Sequence, residues 1–405
     1  MRSRLHAAAT IVLTTGLVAA VPQLLSLGGE SAAARAVSVD QSYPVPASGR
    51  YTVRGHGYGH GRGMSQHGAQ GAALAGLDHD EILDFYYPGT GTGTSPKRVR
   101  VLISSDTTSD LVVTARPTLT VLDRGTGDKT RLPTDLGASQ WRIDVAGGNR
   151  NVVDYLARGS WKRWRTLEGE GQFDAAGPVE LHTPAGRYTF RGQLRAAMPT
   201  SSSTSRDTVN IVSMNGYVRG VVPYEMPALW EREAVRAQAV AARTYATWSR
   251  AENPDRYYQI CDTTACQVYR GVNGEHPASN DATVATGRQI LTYDGEPAFS
   301  QFSASSGGWT VAGSVPYLRA KKDPYDDWSG NSNHDWSVTL TAGAIERAYP
   351  SIGKLRRIRV TERDGNGQWK GRVLSMVLDG RRNDVRITGD DFRWKFGLKS
   401  NWFSF

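Results

Sequence analysis

The feature that most constrains this chain is an alanine-rich stretch near its middle. Small residues recur from Ala234 to Trp248, and valine, tyrosine and tryptophan take the remaining apolar positions. The spacing predicts a helix whose inner face has so little side-chain bulk that neighbouring elements can pack closely on it. Such a helix belongs inside a domain, so we expect the fold to be built around it.

A proline and a glutamate stand just before this helix. Pro227 suits a first helical turn, where its missing N–H costs nothing, and it disfavours helical geometry at Met226. We therefore expect Glu225 on a turn that joins an apolar strand end at residues 218–222 to the helix. A carboxylate on such an elbow is held as a catalytic acid should be, although a glutamate here can also be a simple helix cap.

The residues around this elbow resemble a known family signature. V-V-P-Y-E-M-P at residues 221–227, followed by A-V-R-A-Q-A-V-A-A-R-T-Y-A at 234–246, resembles the core of the SpoIID/LytB family, the stage II sporulation protein D group. The resemblance implies a peptidoglycan lytic transglycosylase in which Glu225 is the catalytic residue.

A second informative block is rich in glycine and histidine. Residues 55–69 read G-H-G-Y-G-H-G-R-G-M-S-Q-H-G-A, and glycine at this density lets the backbone approach other groups closely. The block lacks the G-K-[ST] of a phosphate-binding loop, which argues against a nucleotide site. The spacing of His56, His60 and His67 permits a metal site, but no carboxylate or cysteine lies close by in the sequence. We favour hydrogen-bonding histidines in a polar cleft and expect no cofactor.

The position of this block in the chain is unusual for the family it resembles. In SpoIID proteins such a segment, closing on Y-Y-P-G-T, usually stands at the C-terminal end, after a G-x-x-x-R…G-L-x-S-x-x-F stretch. Here it comes first, and the matching stretch lies at residues 389–403. We infer a circularly permuted arrangement in which residues 51–96 pack on a catalytic core at 201–405. The alternative is that residues 51–90 form a separate wall-binding appendage.

Most of the remaining sequence predicts antiparallel β structure. Residues 97–200 alternate apolar and polar side chains in short runs between turn residues, which indicates a β-rich subdomain. Residues 37–50 lack periodicity and are expected to form a linker. We also expect short helices at 66–75, 80–86 and 342–348, and strands from 349 to 405. The predicted fold class is α+β, mainly antiparallel β with the alanine-rich helix buried.

Within the β-rich region, residues 161–165 read W-K-R-W-R and allow two interpretations. Tryptophan and arginine side chains can stack on sugar rings and hold anions. A solvated edge strand rich in cations has the same composition, and we favour that interpretation.

The resemblance also suggests which side chains surround the glutamate. Residues 267–269 resemble the family's Q-V-Y element, and F-S-A-S-S-G-G-W-T at 302–310 resembles its Ser-Gly-Gly-x-Thr loop. The serines of that loop can equally form an ordinary turn, since no spaced histidine or G-x-S-x-G pattern supports a serine nucleophile. The side chains that we expect to bind substrate beside Glu225 are Arg243, Tyr245, Gln267, Ser305, Ser306, His56, His60, Ser65 and Gln66.

The chain has two cysteines, Cys261 and Cys266, five positions apart. In an exported protein, a disulfide that closes a small loop is the default expectation. Some relatives in the family are thought to hold zinc here with two cysteines and a preceding histidine, but Asp255, Tyr257 and Tyr258 occupy the upstream positions. We therefore expect a disulfide and no metal.

The number of carboxylates decides which reaction is plausible. Hydrolysis of a glycosidic bond usually needs two carboxylates, whereas this sequence points to one. A lytic transglycosylase can work with one, because the sugar's own 6-hydroxyl attacks the anomeric carbon and leaves a 1,6-anhydro end. Burial must keep Glu225 protonated against the positive end of the following helix. The rival hypothesis, which the LytB branch suggests, is a non-catalytic wall-binding protein that enhances a partner amidase.

The first residues of the chain and its net charge predict where the protein is located. Residues 1–36 are typical of a secretory signal, with Arg2 and Arg4, an interrupted apolar run and an A-x-A site at 34–36, so we favour a cleaved leader over a membrane anchor. The formal net charge is +9 at pH 7, which favours attraction to an anionic cell wall. No nucleic-acid-reading module is recognisable. The expected partners are peptidoglycan glycan strands and an amidase, with a membrane contacted only through an uncleaved leader.

Overall fold

A computed structural model describes residues 36–147 and 149–405 of the chain. The predicted leader, residues 1–36, lies outside these residues except for its last position. Within the described part, none of the helices combines the length and the apolar character needed to cross a membrane.

The described residues form seven α-helices and 25 strands. The helices are α1 (Gln66–Leu74), α2 (His79–Tyr86), α3 (Met214–Glu225), α4 (Arg232–Glu252), α5 (Pro277–Ala285), α6 (Ala342–Ala348) and α7 (Gly389–Phe396). The strands are β1 (Val37–Pro44), β2 (Arg50–His56), β3 (Met64–Ser65), β4 (Gly91–Thr94), β5 (Arg98–Leu102), β6 (Leu111–Thr114), β7 (Thr120–Asp123), β8 (Lys129–Arg131), β9 (Gln140–Ala146), β10 (Arg150–Ala157), β11 (Ser160–Thr166), β12 (Gly171–Asp174), β13 (Val179–Thr183), β14 (Gly186–Phe190), β15 (Gln193–Ala197), β16 (Asp207–Ser213), β17 (Ile260–Cys261), β18 (Gln289–Tyr293), β19 (Glu296–Pro297), β20 (Phe302–Ser303), β21 (Asp335–Thr341), β22 (Leu355–Arg363), β23 (Val373–Gly380), β24 (Asp384–Ile387) and β25 (Phe403–Ser404).

The two largest sheets are formed mainly by the β-rich region, and β16 and β17 add to one of them from outside it. One has the order β17-β5-β16-β15-β12-β7-β8 and the other β11-β10-β9-β6-β13-β14. The pairs β17–β5 and β20–β3 are parallel, and the other strand pairs in the described residues are antiparallel. The predicted α+β fold is confirmed. Strand β11, which carries W-K-R-W-R, is an edge strand, and the Arg142 guanidinium lies 4.5 Å from the Trp161 ring centroid.

One hydrophobic core joins the β-rich region to the alanine-rich helix. Buried side chains from residues 99–196 belong to the same cluster as those of α1, α2, α3 and α4. Strand β5 pairs with β16, and β16 runs directly into α3. Residues 97–200 therefore share their core with the residues that follow, and their boundaries as a β-rich subdomain stay a prediction.

A second core combines both ends of the described chain. Tyr51 and Val53 are buried with Ile358, Phe392 and Phe403. Residues 37–50, expected to be a linker, instead begin with β1, which pairs antiparallel with β22. The inward-facing residues of β1 are only half-buried and one of them, Gln41, is polar, so its period-2 pattern was weak in the sequence. Helix α7 was also missed; Thr388 caps it in a capping box with Asp391.

The structure corrects our prediction for the residues before Glu225, because they form helix α3 and not a strand end followed by a turn. Glu225 is the last residue of this helix. Ser213 caps its start by accepting a hydrogen bond from the Gly216 N–H at 3.1 Å. The buried residues of α3 recur at helical spacing: Met214, Tyr217, Val218, Val221 and Val222.

Helix α4 also starts later than predicted, at Arg232. Pro227 lies in a turn that the Trp230 N–H closes by donating to the Pro227 carbonyl at 3.1 Å. The α4 residues 234–247 are largely buried, as the alanine-rich pattern predicted. Because α4 begins seven positions after Glu225, the glutamate is neither the cap of α4 nor part of its first turn.

The glycine- and histidine-rich block packs between the two cores. Strand β2 lies between β21 and β25, where Gly55 pairs with Phe403, and the Tyr51 and Phe405 ring centroids are 5.4 Å apart. Helix α1 packs on α4. This block therefore contacts the C-terminal stretch, and its permuted order relative to the family stays a prediction.

Candidate active site

A pocket of about 330 Å³ opens where the end of α3 meets α4 and two loops. Three other pockets are larger, about 390, 450 and 560 Å³, so chemistry and not size distinguishes this one. Among the described residues that line it, Glu225 is the only carboxylate. The lining residues are His60, Glu225, Tyr245, Thr264, Ala265, Cys266, Gln267, Val268, Gln301 and Phe302.

Glu225 lies half-buried in the wall of this pocket. Burial raises the pKa of its carboxyl group to about 7. The backbone N–H of Val268 donates to Glu225 Oε1 at 3.3 Å and moderates the shift by favouring the carboxylate. The carboxyl-terminal end of a helix carries partial negative charge, so the position of Glu225 on α3 also disfavours its ionised form. A carboxyl group with this pKa can donate a proton near neutral pH and later take one back.

His60 reaches the pocket from the glycine-rich loop. Its Nδ1 accepts a hydrogen bond from the Arg62 backbone N–H at 3.0 Å, which places the proton of a neutral ring on Nε2. Burial lowers the pKa of His60 to about 4, and Arg62, Arg372 and Arg393 add to the shift. His60 is therefore a neutral hydrogen-bond donor at neutral pH.

The glycines of this loop allow it to run close to the pocket wall. Gly63 has a φ of 66°, and a Cβ on it would lie 1.8 Å from the Gln301 carbonyl oxygen. Strand β3 then pairs in parallel with β20, which carries Phe302. A bulkier residue at position 63 cannot follow this path, so the glycine fixes where His60 sits.

Tyr245 and Gln267 also line the pocket, and their role in substrate binding stays a prediction. Burial and then the nearby Glu225 charge raise the pKa of Tyr245, so its phenol keeps its proton. The Gln267 amide accepts from the Tyr217 hydroxyl at 3.1 Å and donates to the Ala242 carbonyl at 3.3 Å. These two bonds fix the orientation of the amide.

The structure joins Cys261 to Cys266 in a disulfide. The loop that it closes presents Thr264, Ala265 and Cys266 to the pocket. In the described residues, no group of three or more His, Cys, Asp or Glu side chains is placed to hold a metal ion.

The expected cleft serines lie elsewhere, in a buried network around two aspartates. Ser65 and Ser305 donate to Asp326 at 2.6 and 2.8 Å, and Ser306 donates to Asp323 at 2.8 Å. All three serines are buried and do not line the Glu225 pocket. Our placement of these serines in the cleft is therefore wrong in this structure. They tie the glycine-rich block to the loop that contains the two aspartates.

Arg243 and Gln66 are also buried away from the pocket. The Arg243 guanidinium donates to the carbonyls of Gln289 and Thr283 at 3.0 and 3.1 Å, and so fastens α4 to α5 and β18. Gln66 donates to Gln238 at 3.3 Å, which links α1 to α4. Neither residue lines the Glu225 pocket, and both hold neighbouring elements of the fold together.

His56 lies in a different pocket, together with Asp335 and Trp369. Its Nε2 is 2.6 Å from Gln368 Oε1, and its Nδ1 is 2.6 Å from the Asp335 carboxylate. His56 therefore does not contribute to the surroundings of Glu225.

Sequence reasoning missed three contributors to the pocket: Thr264, Gln301 and the Val268 N–H. Thr264 lies in the middle of the predicted disulfide loop, and Gln301 directly precedes the 302–310 segment. Proximity to these two motifs was the signal that could have found the side chains. A backbone N–H leaves no such signal in the sequence.

Comparison with known proteins finds a family model that is similar to the part of the chain containing Glu225. The family model SpoIID, described as Stage II sporulation protein, matches residues 202–293. This range includes Glu225, Tyr245, Gln267 and both cysteines, and it excludes His60. The chain thus contains a segment that is similar to the SpoIID family model.

The chain is also similar to individual proteins. The chain is 39% identical over 135 residues to the Amidase enhancer of Bacillus subtilis, covering 32% of this chain and 17% of that protein. It is 29% identical to Stage II sporulation protein D of Bacillus amyloliquefaciens over 223 residues and to that of Bacillus subtilis over 227 residues. Each of these two matches covers 49% of this chain and 61% of the relative. The matches therefore span less than two thirds of the relatives' length.

Proposed function

We propose that the protein is an exported peptidoglycan lytic transglycosylase that acts on the glycan strand outside the membrane, in cell-wall remodelling or sporulation. It would cleave between MurNAc and GlcNAc and leave 1,6-anhydro-MurNAc ends. The observation that carries the proposal is Glu225, a half-buried acid with a pKa of about 7 and the only carboxylate among the described lining residues of its pocket.

In the proposed reaction, one residue moves two protons. Glu225 donates its proton to the glycosidic oxygen as that bond breaks, and it then accepts the proton of the 6-hydroxyl as this oxygen attacks the anomeric carbon. A second carboxylate is unnecessary, because the nucleophile comes from the sugar itself and needs no activated water. The Val268 N–H stabilises the carboxylate that exists between the two transfers.

The neighbouring groups suit sugar hydroxyls. His60 and Tyr245 keep their protons at neutral pH, so both can donate hydrogen bonds without changing charge during the reaction. Phe302 offers an apolar surface for a ring face.

Digestion of purified glycan strands, followed by mass spectrometry, tests the proposal. We expect products with anhydro ends that do not incorporate oxygen-18 from labelled water. Replacing Glu225 with Gln removes the transferable proton and should lower the cleavage rate by at least about 100-fold. Ordinary reducing ends carrying the label, or full activity of Glu225→Gln, would contradict the assignment.

A second candidate function is enhancement of a partner amidase without catalysis. The similarity to the protein named Amidase enhancer favours it. This role predicts that the chain accelerates release of stem peptides by an added amidase and that Glu225→Gln does so equally well. Such a result, combined with an absence of anhydro ends, would replace the first proposal by the second.

A further inference from the structure

Two neighbouring hollows lie outside the Glu225 pocket and share two residues. The first, about 560 Å³, is lined by Arg54, His56, Asp335 and Trp369 among others, and the second, about 390 Å³, by Arg50, Thr52, Arg54 and Trp369 among others. Arg54 and Trp369 belong to both. The two hollows therefore form one groove with the tryptophan ring between its halves.

The floor of this groove is the exposed face of strand β2. The buried and exposed residues of β2 alternate, so Arg50, Thr52 and Arg54 all point outward, away from the second core. Within the described residues, the guanidinium groups of Arg50 and Arg54 form no hydrogen bond or ion pair. The carboxylate of the groove, Asp335, lies 2.6 Å from His56 Nδ1. Two cations thus remain to bind an anionic ligand.

Trp369 lies in a turn with a strained backbone, and hydrogen bonds and ring contacts hold this turn in place. Its φ is 57° and that of Lys370 is 65°, in a region that side-chain-bearing residues rarely adopt. The Trp402 indole N–H donates to the Gln368 carbonyl at 3.0 Å, and the Trp369 and His56 ring centroids are 4.7 Å apart. Strain of this kind persists where the surroundings fix a residue, and it often marks a binding site.

We propose that this groove is a second glycan-binding site, with Trp369 stacking on a sugar ring and Arg54 and Arg50 binding carboxylate groups of the same strand. Aromatic rings and arginine side chains together recognise acidic saccharides through stacking and charge-assisted hydrogen bonds. The identity of the saccharide as peptidoglycan glycan rests on the proposed function.

The groove is also close to the Glu225 pocket along the chain. Strand β2 ends at His56 and continues into the glycine-rich loop that carries His60. Four residues of extended chain span at most about 14 Å between Cα atoms. A glycan held in the groove is therefore kept near the catalytic residue, and the site would raise the local concentration of long strands.

Binding measurements in the Glu225→Gln background test this site without cleavage. The probes are muramoyl glycan oligomers with free lactyl carboxylates, and neutral N-acetylglucosamine oligomers. Trp369→Ala should weaken binding of both probes by about tenfold, since loss of a stacking aromatic commonly has this effect. Arg54→Gln should weaken binding of the acidic probe alone, and this difference should shrink at high salt.

Trp394→Ala and Arg356→Gln are the matched controls, because Trp394 on α7 and Arg356 on β22 are exposed and lie outside the groove. Unchanged affinities in Trp369→Ala and Arg54→Gln, or equal losses in the controls, would overturn the proposal. Arg54→Glu keeps the test valid if Trp369→Ala does not fold, since position 54 is exposed.

Failure of this inference is distinguishable from failure of the proposed function. If the wild-type chain leaves no anhydro ends but the groove variants lose glycan binding, the function is wrong and the groove stands. If the chain cleaves glycan and the groove variants bind it normally, the reverse holds.

Discussion

Glu225 combines a catalytic requirement with a cost in stability. Burial raises the pKa of its carboxyl group from 4.5 to about 7. Between these two pH values the folded chain keeps the proton and the unfolded chain has released it. The free energy of unfolding therefore falls as the pH rises from about 4.5 to about 7, and above pH 7 the full cost of the buried charge remains.

This linkage predicts that Glu225→Gln stabilises the protein at high pH. Glutamine retains the shape and can still accept from the Val268 N–H, but it has no charge to bury. We expect the variant to exceed the wild type in free energy of unfolding by about 1–3 kcal/mol at pH 8, a discounted value because the side chain is partly exposed, and to match it near pH 4. Urea titrations at both pH values measure the difference. A gain that is equal at both would argue against a raised pKa.

His60 should act as a neutral donor through Nε2. Glutamine can place an amide N–H near the position of Nε2, whereas phenylalanine offers a ring without a donor. We expect His60→Gln to retain a substantial part of the cleavage rate and His60→Phe to lose at least about tenfold. Because the pKa of His60 is about 4, neither variant should move the fall of activity near pH 7 that Glu225 causes. A shifted fall would assign the titration to the histidine.

The family-like motifs placed some side chains correctly in the pocket and others wrongly, for a physical reason. The structure brings Tyr245 and Gln267 to the same pocket as Glu225. Arg243 stands in the same motif but faces the core, where carbonyl oxygens surround its charge. A motif records which residues occur together, and it does not say whether a polar side chain serves a substrate or another part of the fold.

At the scale of elements, helix α3 depends on close contact at its glycines. A Cβ on Gly220 would lie 2.6 Å from the Tyr269 ring and 2.9 Å from the Gly271 carbonyl oxygen. Alanine is the better helix former by about 1 kcal/mol, but the overlap forces α3 away from its neighbours. We expect Gly220→Ala to lower the free energy of unfolding by about 1–3 kcal/mol and to slow cleavage, because α3 carries Glu225.

Gly343→Ala in α6 provides the control for this change. The nearest atom to its added Cβ is Nη1 of Arg347 at 3.5 Å, an ordinary contact. This variant should be as stable as the wild type or slightly more so, with unchanged cleavage. Thermal unfolding of both variants measures the contrast, and a stable Gly220→Ala would show that α3 has room to move.

Helix α3 was not predicted, although its sequence contains a helical spacing of apolar residues. The apolar run at residues 218–222, which contains the β-branched Val221 and Val222, was interpreted as a strand end. The apolar residues from Met214 to Val222 nevertheless recur at helical spacing, and Ser213 provides a cap. Pro223 lies inside the helix, and the helix ends two residues later at Glu225. The spacing of the apolar residues therefore predicts the helix better than the residue types at 218–222 do.

At the scale of the whole molecule, the N-terminal block, residues 51–96, contributes side chains to both cores. Tyr51 and Val53 are buried in the second core, and Met64 and Tyr87 in the main one. In addition, the Ser65 hydroxyl donates a hydrogen bond to Asp326, in the distant loop that contains the two buried aspartates. The sequence indicated contact between this block and the C-terminal stretch only through family resemblance, because pairing between β2 and β25 joins residues about 350 positions apart and leaves no local pattern.

This dual burial predicts that the block cannot be removed. A chain that begins at Lys97 would expose the partners of Tyr51, Val53, Met64 and Tyr87, each worth about 1.5–3 kcal/mol, against a total stability of about 5–15 kcal/mol. We expect it to be unfolded or insoluble. A reordered chain, in which residues 37–96 follow Phe405 through a flexible linker, keeps every contact and changes only connectivity, so it should regain the cooperative unfolding transition and the glycan cleavage of the natural order. Circular dichroism, thermal unfolding and product analysis of both variants decide the matter. A shortened chain that is folded and fully active would make the block an appendage, and His60 would then have no part in the reaction.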